Sequence, residues 1–232
     1  MTDFFIPYEN DLFFLINGSH TPFVDSIMSL YSGRKIWIPA VLSIVVTIVY
    51  KKSWKEWLGL LLFFVLLFVL CDQISTNLIK PLVARPRPTS YPAIMDYVRT
   101  IDGRVKGGGG SYGFISWHTT NAFAFALFTS LVFRNKLYSW VIFIWAMIMA
   151  YSRIYLGVHF VSDILGGMIV GLGVGFVVYK LFVFTVRTIS EKYNVIQLAS
   201  YSYTRMRVCS LAIAAYIILF SLFSTFLVTF LK

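Results

Sequence analysis

The sequence has few charged residues, few prolines and almost no cysteine. Only 13% of its 232 residues are Asp, Glu, Lys or Arg, against about a quarter in an ordinary soluble domain. Seven prolines and two cysteines exclude a collagen-like fibre and a disulfide-stapled secreted module. Hydrophobic side chains make up 58% of the chain, which excludes intrinsic disorder and indicates a protein embedded in a lipid bilayer.

Six apolar segments are candidates for membrane-spanning helices, each of which needs about 20 mostly apolar residues. They cover residues 36–50, 57–79, 118–133, 138–156, 161–184 and 208–231. The segment before them mixes apolar and acidic residues, which favours an amphipathic helix lying in the membrane interface. We therefore predict an all-α fold, an integral membrane six-helix bundle with an N-terminal interfacial amphipathic helix.

The predicted bundle forms one membrane domain over residues 1–232. Residues 1–33 form its interfacial segment, residues 57–185 its core, and residues 186–232 a basic loop and the last span. A long extramembrane loop at residues 81–115 joins spans two and three. Prolines stiffen its first half and a run of four glycines follows at 107–110, so the loop suits a lid beside a fixed site, with a passive linker as the alternative.

Basic residues exceed acidic residues by twenty to ten, which gives a net charge of +10. In a membrane protein this excess favours anionic lipids as partners over nucleic acid, although it would also arise if the basic residues only set topology. The three loops on one predicted side carry ten basic residues and only Glu56 and Glu191 against them. This side is therefore predicted to be cytoplasmic, in a bacterial inner membrane, with the long loop on the periplasmic or extracellular face.

Three ionisable residues lie where the fourth apolar segment ends and the fifth begins. His159 and Asp163 are four residues apart, so a helix that begins there would let the carboxylate accept the imidazole N–H. That bond would leave the other ring nitrogen as a nucleophile. Arg153 could reach the same pocket and bind a phosphate through two hydrogen bonds. The alternative is a His–Asp pair that caps a helix beside an ordinary arginine.

Two cations, Lys80 and Arg87, flank a proline-containing turn after the second segment. Cations held together at a membrane surface need a shared anion such as phosphate, unless both side chains simply extend to the interface. For Arg85 we expect only that its side chain extends to the membrane interface.

Two further polar residues, Ser116 and His118, begin the third segment and add a hydroxyl and a second imidazole. The third histidine of the chain, His20, lies in the polar N-terminal stretch and is expected to be an incidental surface residue.

These residues have the spacing of a three-part signature. Lys80, six intervening residues and Arg87-Pro88 are followed by Ser116-Trp117-His118, and then by Ser152-Arg153, five residues, His159, three residues and Asp163. Over about residues 57–185 the pattern resembles the type 2 phosphatidic acid phosphatase superfamily. The resemblance implies a membrane-embedded lipid phosphatase, in which the N-terminal segment and the last span contribute topology only.

The resemblance also implies a role for each residue of the signature. His159 would attack phosphorus and become a phosphohistidine, with Asp163 orienting it, and His118 would protonate the leaving oxygen and later activate water. The phosphoryl oxygens would be bound by Lys80, Arg87, Arg153, the Ser116 hydroxyl and the backbone N–H of Trp117. No cofactor is implied, and no metal, because three nearby cations oppose a dication and members of the family work without one.

One residue departs from the family pattern. The middle motif usually reads Pro-Ser-Gly-His, and here Ile115 and Trp117 replace the proline and the glycine. Glycine lets backbone approach phosphate closely, whereas an indole needs room, although the backbone donor is retained. Two outcomes are open. In the first, the ring points away from the site or stacks on the lipid, and the enzyme is active. In the second, the ring impairs catalysis and the protein only binds its ligand.

The resemblance leaves the substrate open among undecaprenyl pyrophosphate, lipid A phosphate, phosphatidylglycerol phosphate and phosphatidic acid. Arg99, Arg104 and Lys106 in the long loop would suit a second phosphate, or are solvated loop charges. Two other functions share features of the sequence. A lipid-phosphate transporter would use the cations but gives no reason to orient an imidazole, and a soluble-type acid phosphatase or haloperoxidase would lack the apolar segments.

Overall fold

The computed structural model describes residues 6–33, 35–101, 112–193 and 201–231, and these contain helices and no β-strand. The α-helices are α1 Ile6–Asn17, α2 Pro22–Tyr31, α3 Ile38–Val49, α4 Trp54–Asp72, α5 Lys80–Val83, α6 Trp117–Phe133, α7 Lys136–Tyr155, α8 Val161–Tyr193, α9 Tyr203–Leu222 and α10 Ser224–Leu231. A π-helical stretch, Gln73–Ile79, joins α4 to α5. The predicted all-α fold is confirmed.

Each of the six predicted apolar segments is helical, but their lengths differ. In the described part of the chain, four helices are long and apolar enough to cross a membrane, and five if the bent pair of α2 and α3 counts as one span. Helices α3 and α6, with 12 and 17 residues, are shorter than a span. The predicted last span is broken, because α9 ends at Leu222 and α10 begins at Ser224. The number of spans stays a prediction.

Helix α6 lies at the centre and packs most closely on α8. Gly167, Gly171 and Gly175 follow one another every fourth residue on α8 and face α6. A methyl group at Gly167 would lie 2.9 Å from the carbonyl oxygen of Ser116, and one at Gly175 would lie 2.7 Å from that of Ala124. Glycines at this spacing let two helices approach closely where the surrounding lipid gives no hydrophobic drive to pack. The close approach holds the N-terminus of α6 beside that of α8.

The N-terminal helices pack on the bundle. Phe13 of α1 is fully buried, and the Asn17 side chain donates hydrogen bonds of 2.9 Å to the carbonyl oxygens of Arg99 and Tyr155. Asn17 also accepts the backbone N–H of Arg99 at 2.9 Å. The prediction that this segment contributes topology only is therefore wrong, since it holds the loop before residue 102 against α7.

The contacts around Gly171 and Gly173 predict different effects of alanine substitution on stability. At Gly171 a methyl group would meet the carbonyl oxygen of Thr120, whereas at Gly173 it would meet nothing within 4 Å. We expect Gly171→Ala to lower the free energy of unfolding by about 1–3 kcal/mol through overpacking. Gly173→Ala is the matched control and should be neutral or stabilise by up to about 1 kcal/mol. Thermal unfolding in detergent would compare them, and equal stabilities would contradict the packing argument.

Candidate active site

His159 and Asp163 are in contact at the start of α8. The His159 Nδ1 atom lies 3.2 Å from the Asp163 Oδ2 atom, and both side chains are almost completely buried. Helix α8 begins at Val161, the first residue of the fifth predicted segment, so His159 lies in the turn before the helix and only Asp163 lies on it. Asp163 lies in the first turn and also accepts the backbone N–H of Phe160 at 2.9 Å. This reach back to the helix start is one half of a capping box, and it fixes the carboxylate that faces the imidazole.

Several cations surround the His159 imidazole. Burial lowers the pKa of His159 well below its ordinary value, and nearby positive charges lower this pKa further: Arg87, Arg153, Lys80 and Arg85. The imidazole is therefore neutral at neutral pH. With Nδ1 donating its proton to Asp163, the Nε2 atom keeps its lone pair. The structure thus brings the histidine, the aspartate and the three predicted cations into one pocket.

The three predicted cations are held by different elements. Lys80 follows the π-helical stretch, an irregularity that often occurs at functional sites. Arg87 is 6% exposed and its Nη1 donates to the carbonyl oxygen of Val158 at 3.4 Å. Arg153, in the last turn of α7, binds the Ser32 hydroxyl through Nη1. Its buried Nε has no hydrogen-bond partner among the described residues, so it is a donor for which an anion would supply an acceptor.

The middle motif lies against the same aspartate. The backbone N–H of Ser116 donates to the backbone oxygen of Asp163 at 3.0 Å. The fully buried Ser116 side chain is the N-cap of α6, where its Oγ accepts the Thr119 hydroxyl at 3.0 Å. The Ser116 hydroxyl proton is still available for donation. The backbone N–H of Trp117 is one of the first donors of α6, which have no partner inside the helix.

The Trp117 indole lines an apolar cavity of about 190 Å³. His118 lines the same cavity, and the two rings are perpendicular with centroids 5.0 Å apart. The other lining residues come from α3, α4, α6, α7 and α9, together with the turn before α3: Trp37, Ala40, Val41, Ile44, Phe68, Asn121, Ala122, Phe125, Ile142, Trp145, Met149 and Ile213. The indole is thus placed among apolar side chains of the bundle.

Arg85 contradicts its sequence-based prediction. Its side chain is 3% exposed and does not extend to the interface. It binds the Asp163 carboxylate and donates to Glu9 Oε1 at 3.1 Å and to Ser162 Oγ at 2.8 Å. The expected pattern had no place for Arg85 or Glu9. Arg85 lies only two residues before Arg87, but Glu9 lies 76 residues before Arg85, so only the folded structure shows their contact.

His20 is likewise not an incidental surface residue. Its side chain is 11% exposed and its Nδ1 lies 2.9 Å from Asp25 Oδ1. The imidazole also stacks on Tyr155, with ring centroids 4.4 Å apart, and the Tyr155 hydroxyl donates to Asp25 Oδ1 at 2.6 Å. These contacts lie between α2 and the end of α7, and they place α2 beside the turn that carries His159.

The predicted second-phosphate residues divide into two groups. Arg99 is described, and its Nη1 donates to the carbonyl oxygen of Gly18 at 3.5 Å on the N-terminal segment. Arg104, Lys106 and the glycine run predicted to hinge a lid lie outside the described residues.

Comparisons with known proteins show the family to which the chain belongs. A family model described as "PAP2 superfamily" matches residues 57–187. The chain is 42% identical to the lipid A 4'-phosphatase of Porphyromonas gingivalis, over 78% of this chain and 76% of that protein. It is 35% identical to the lipid A 4'-phosphatase of Bacteroides thetaiotaomicron, over 74% and 75%. The crystal structure of Aquifex aeolicus LpxE superposes with a TM-score of 0.55 and 26% identity, covering 75% of this chain and 95% of that one.

The position of the indole predicts the effect of restoring glycine. Trp117→Gly keeps the backbone N–H and all ionisable side chains of the signature, so phosphate release from a lipid phosphate in detergent should be similar to that of the unaltered protein or higher. A large loss of turnover would show that the indole itself takes part.

Proposed function

Because the chain belongs to the PAP2 superfamily and is an integral membrane lipid phosphatase, we propose that it removes the 4'-phosphate of lipid A through a phosphohistidine intermediate. The observation that carries the mechanism is the contact between His159 and Asp163 inside a buried pocket of cations. The substrate is inferred from the two relatives named above, which match about three quarters of the chain.

In the first proposed step, His159 Nε2 attacks phosphorus in line with the sugar oxygen. The P–N bond forms as the P–O bond to the sugar breaks, and His118 donates its proton to the leaving oxygen. Asp163 accepts a hydrogen bond from the Nδ1–H group of His159 and so stabilises the positive charge that the ring acquires. The product lipid leaves with a free hydroxyl group.

In the second proposed step, His118 removes a proton from a water molecule that attacks the phosphohistidine. The P–N bond breaks, inorganic phosphate leaves and His159 returns to its neutral form. Lys80, Arg87 and Arg153 stabilise the charge on the phosphoryl oxygens in both steps, together with the Ser116 hydroxyl and the backbone N–H of Trp117. Phosphoryl transfer depends mainly on positioning and on such charge stabilisation.

The apolar cavity beside His118 supports a substrate with an acyl chain. A second cavity of about 300 Å³ continues it along α3 and α4 and shares four of its lining residues: Val41, Ile44, Phe68 and Phe125. The second cavity reaches Trp57, near the start of α4. A chain that lies along both cavities would bring its headgroup to His118 while its apolar part lies against α3 and α4. We therefore assign the two cavities to an acyl chain of the substrate.

The charge distribution supports an orientation for the reaction. The loops rich in basic residues lie at the opposite ends of the long helices from Lys80, Arg153 and His159. If those loops are cytoplasmic, phosphate is released on the periplasmic face of a bacterial inner membrane.

The substrate and mechanism are tested together by phosphate release from lipid A in detergent. Lipid A that carries only a 4'-phosphate should lose it, and lipid A that carries only a 1-phosphate is the control and should not. His159→Ala should lower the rate on the order of 10³-fold or more, because the nucleophile is lost. Undiminished release by His159→Ala would overturn the phosphohistidine, and release from the 1-phosphate alone would overturn the proposed substrate.

The acyl-chain assignment predicts a dependence on chain length. Val41→Trp would fill the region that the two cavities share, whereas Val46→Trp lies on the same helix and lines neither cavity. We expect Val41→Trp to raise KM for a long-chain lipid phosphate about tenfold or more and to leave a short-chain analogue unaffected, since lost apolar burial costs about 0.8 kcal/mol for each methylene. KM measured against chain length for both variants would check this, and identical behaviour of the two would contradict it.

A further inference from the structure

Arg85 connects the proposed catalytic aspartate to the N-terminal helix. Its guanidinium binds the Asp163 carboxylate through Nη2, and its Nη1 donates to Glu9 and Ser162. The same guanidinium lies over the rings of Phe160 and Phe114, 4.8 Å and 5.4 Å from their centroids. A planar cation held by two carboxylates and two aromatic faces has a single orientation.

Glu9 of α1 completes this arrangement from the other side. Its Oε2 atom accepts the backbone N–H of Ser162 at 2.7 Å, and its Oε1 atom accepts the Ser162 hydroxyl at 2.9 Å and Arg85 Nη1 at 3.1 Å. The Ser162 N–H is one of the donors that α8 leaves without an internal partner, and a carboxylate there is favoured by the helix dipole. Glu9 therefore binds both Arg85 and the helix that carries Asp163.

The contact is directed at one oxygen of Asp163. Arg85 binds Oδ1, while Oδ2 is the oxygen that faces His159 Nδ1 and accepts the Phe160 N–H. Rotation of the carboxylate away from His159 would break the Arg85 contact. A buried cation that lost this partner would be costly, so the Arg85 contact opposes the rotation.

We propose that Glu9 and Arg85 are positioning residues of the active site, which orient the Asp163 carboxylate and, through it, the imidazole of His159. The proposal rests on the proposed role of His159 as the nucleophile. It gives α1 a function in catalysis that the three-part signature does not contain.

The proposal predicts opposite changes in the pKa of His159. The charged groups around the imidazole and its partners come from four helices and one connecting segment: Asp163 from α8, Arg153 from α7, Lys80 from α5, Arg85 and Arg87 from the segment after α5, and Glu9 from α1, which acts through Arg85. Glu9→Gln leaves the positive charge of Arg85 less compensated, so the pKa of His159 should fall. Arg85→Gln removes a positive charge, so the pKa should rise.

The first measurement is a titration of the imidazole by NMR of the detergent-solubilised protein labelled with ¹⁵N-histidine. The chain has three histidines, and His159→Ala identifies the resonance of His159. The pKa should shift down in Glu9→Gln and up in Arg85→Gln, and the double variant should fall between them. Asp11→Asn makes the same charge change on the exposed side of α1 and should leave the pKa unchanged. This readout needs no substrate, so it separates the proposal from the assignment to lipid A.

The second measurement is the pH profile of phosphate release from lipid A in detergent. Since the neutral imidazole attacks, the acidic limb of kcat/KM should move to lower pH in Glu9→Gln and to higher pH in Arg85→Gln. We expect kcat to fall about 10–100-fold in both, as for other residues that orient an active-site ligand, with KM changed less than threefold. Arg85→Lys should restore the charge and the pH limb but not kcat, because an ammonium cannot make the forked contact.

Ser162→Ala provides a variant without a change of charge. It removes the hydroxyl that bridges Arg85 and Glu9, so kcat should fall while the pKa of His159 stays. The proposal is overturned if Glu9→Gln and Arg85→Gln behave like Asp11→Asn in both measurements, or if both shift the pKa in the same direction.

Discussion

The carboxylate of Asp163 is the group on which the proposed site depends. It is completely buried, and a carboxylate in such a place is stable only when its oxygens have charged or hydrogen-bonding partners. Those partners come from the turn before α8 through Phe160 and His159, and from the segment after α5 through Arg85. Burial of this one group therefore requires that the segment after α5 pack against the start of α8, and the imidazole is oriented as part of the same requirement.

The charges around the imidazole are unbalanced without a ligand. Four described cations, Lys80, Arg85, Arg87 and Arg153, act on His159 against the two carboxylates of Glu9 and Asp163, which leaves an excess of two positive charges. A phosphate monoester carries about −1.5 to −2 near neutral pH, so its charge matches the excess. Arg153 offers a donor to such an anion, because its buried Nε has no hydrogen-bond partner among the described residues.

Sequence reasoning found the residues whose spacing is local and missed those whose contacts are not. The pair of His159 and Asp163 follows from a four-residue offset, and the two side chains are in contact although His159 precedes the helix. The resemblance to the family identified Lys80, Arg87 and Arg153 as the residues that would bind phosphate. Glu9 lies 76 residues from Arg85 and 153 from Ser162, and no periodicity connects positions so far apart. The burial of Arg85 and His20 could not be predicted for the same reason, because the exposure of a side chain depends on which distant helices pack against it.

The apolar cavity explains why a large side chain is accommodated at position 117. Where the pocket meets water and phosphate, only the backbone of this residue is needed, and any residue but proline supplies its N–H. The side chain enters the apolar cavity, in which an indole is surrounded by residues such as Trp37, Phe125 and Trp145. His118 lines the same cavity and lies in the first turn of α6, so the proposed general acid borders the apolar cavity. A lipid phosphate would bring its phosphate to His118 and its apolar part to this cavity. The position that departs most from the family pattern is thus also the one that most directly connects the pocket to a lipid substrate.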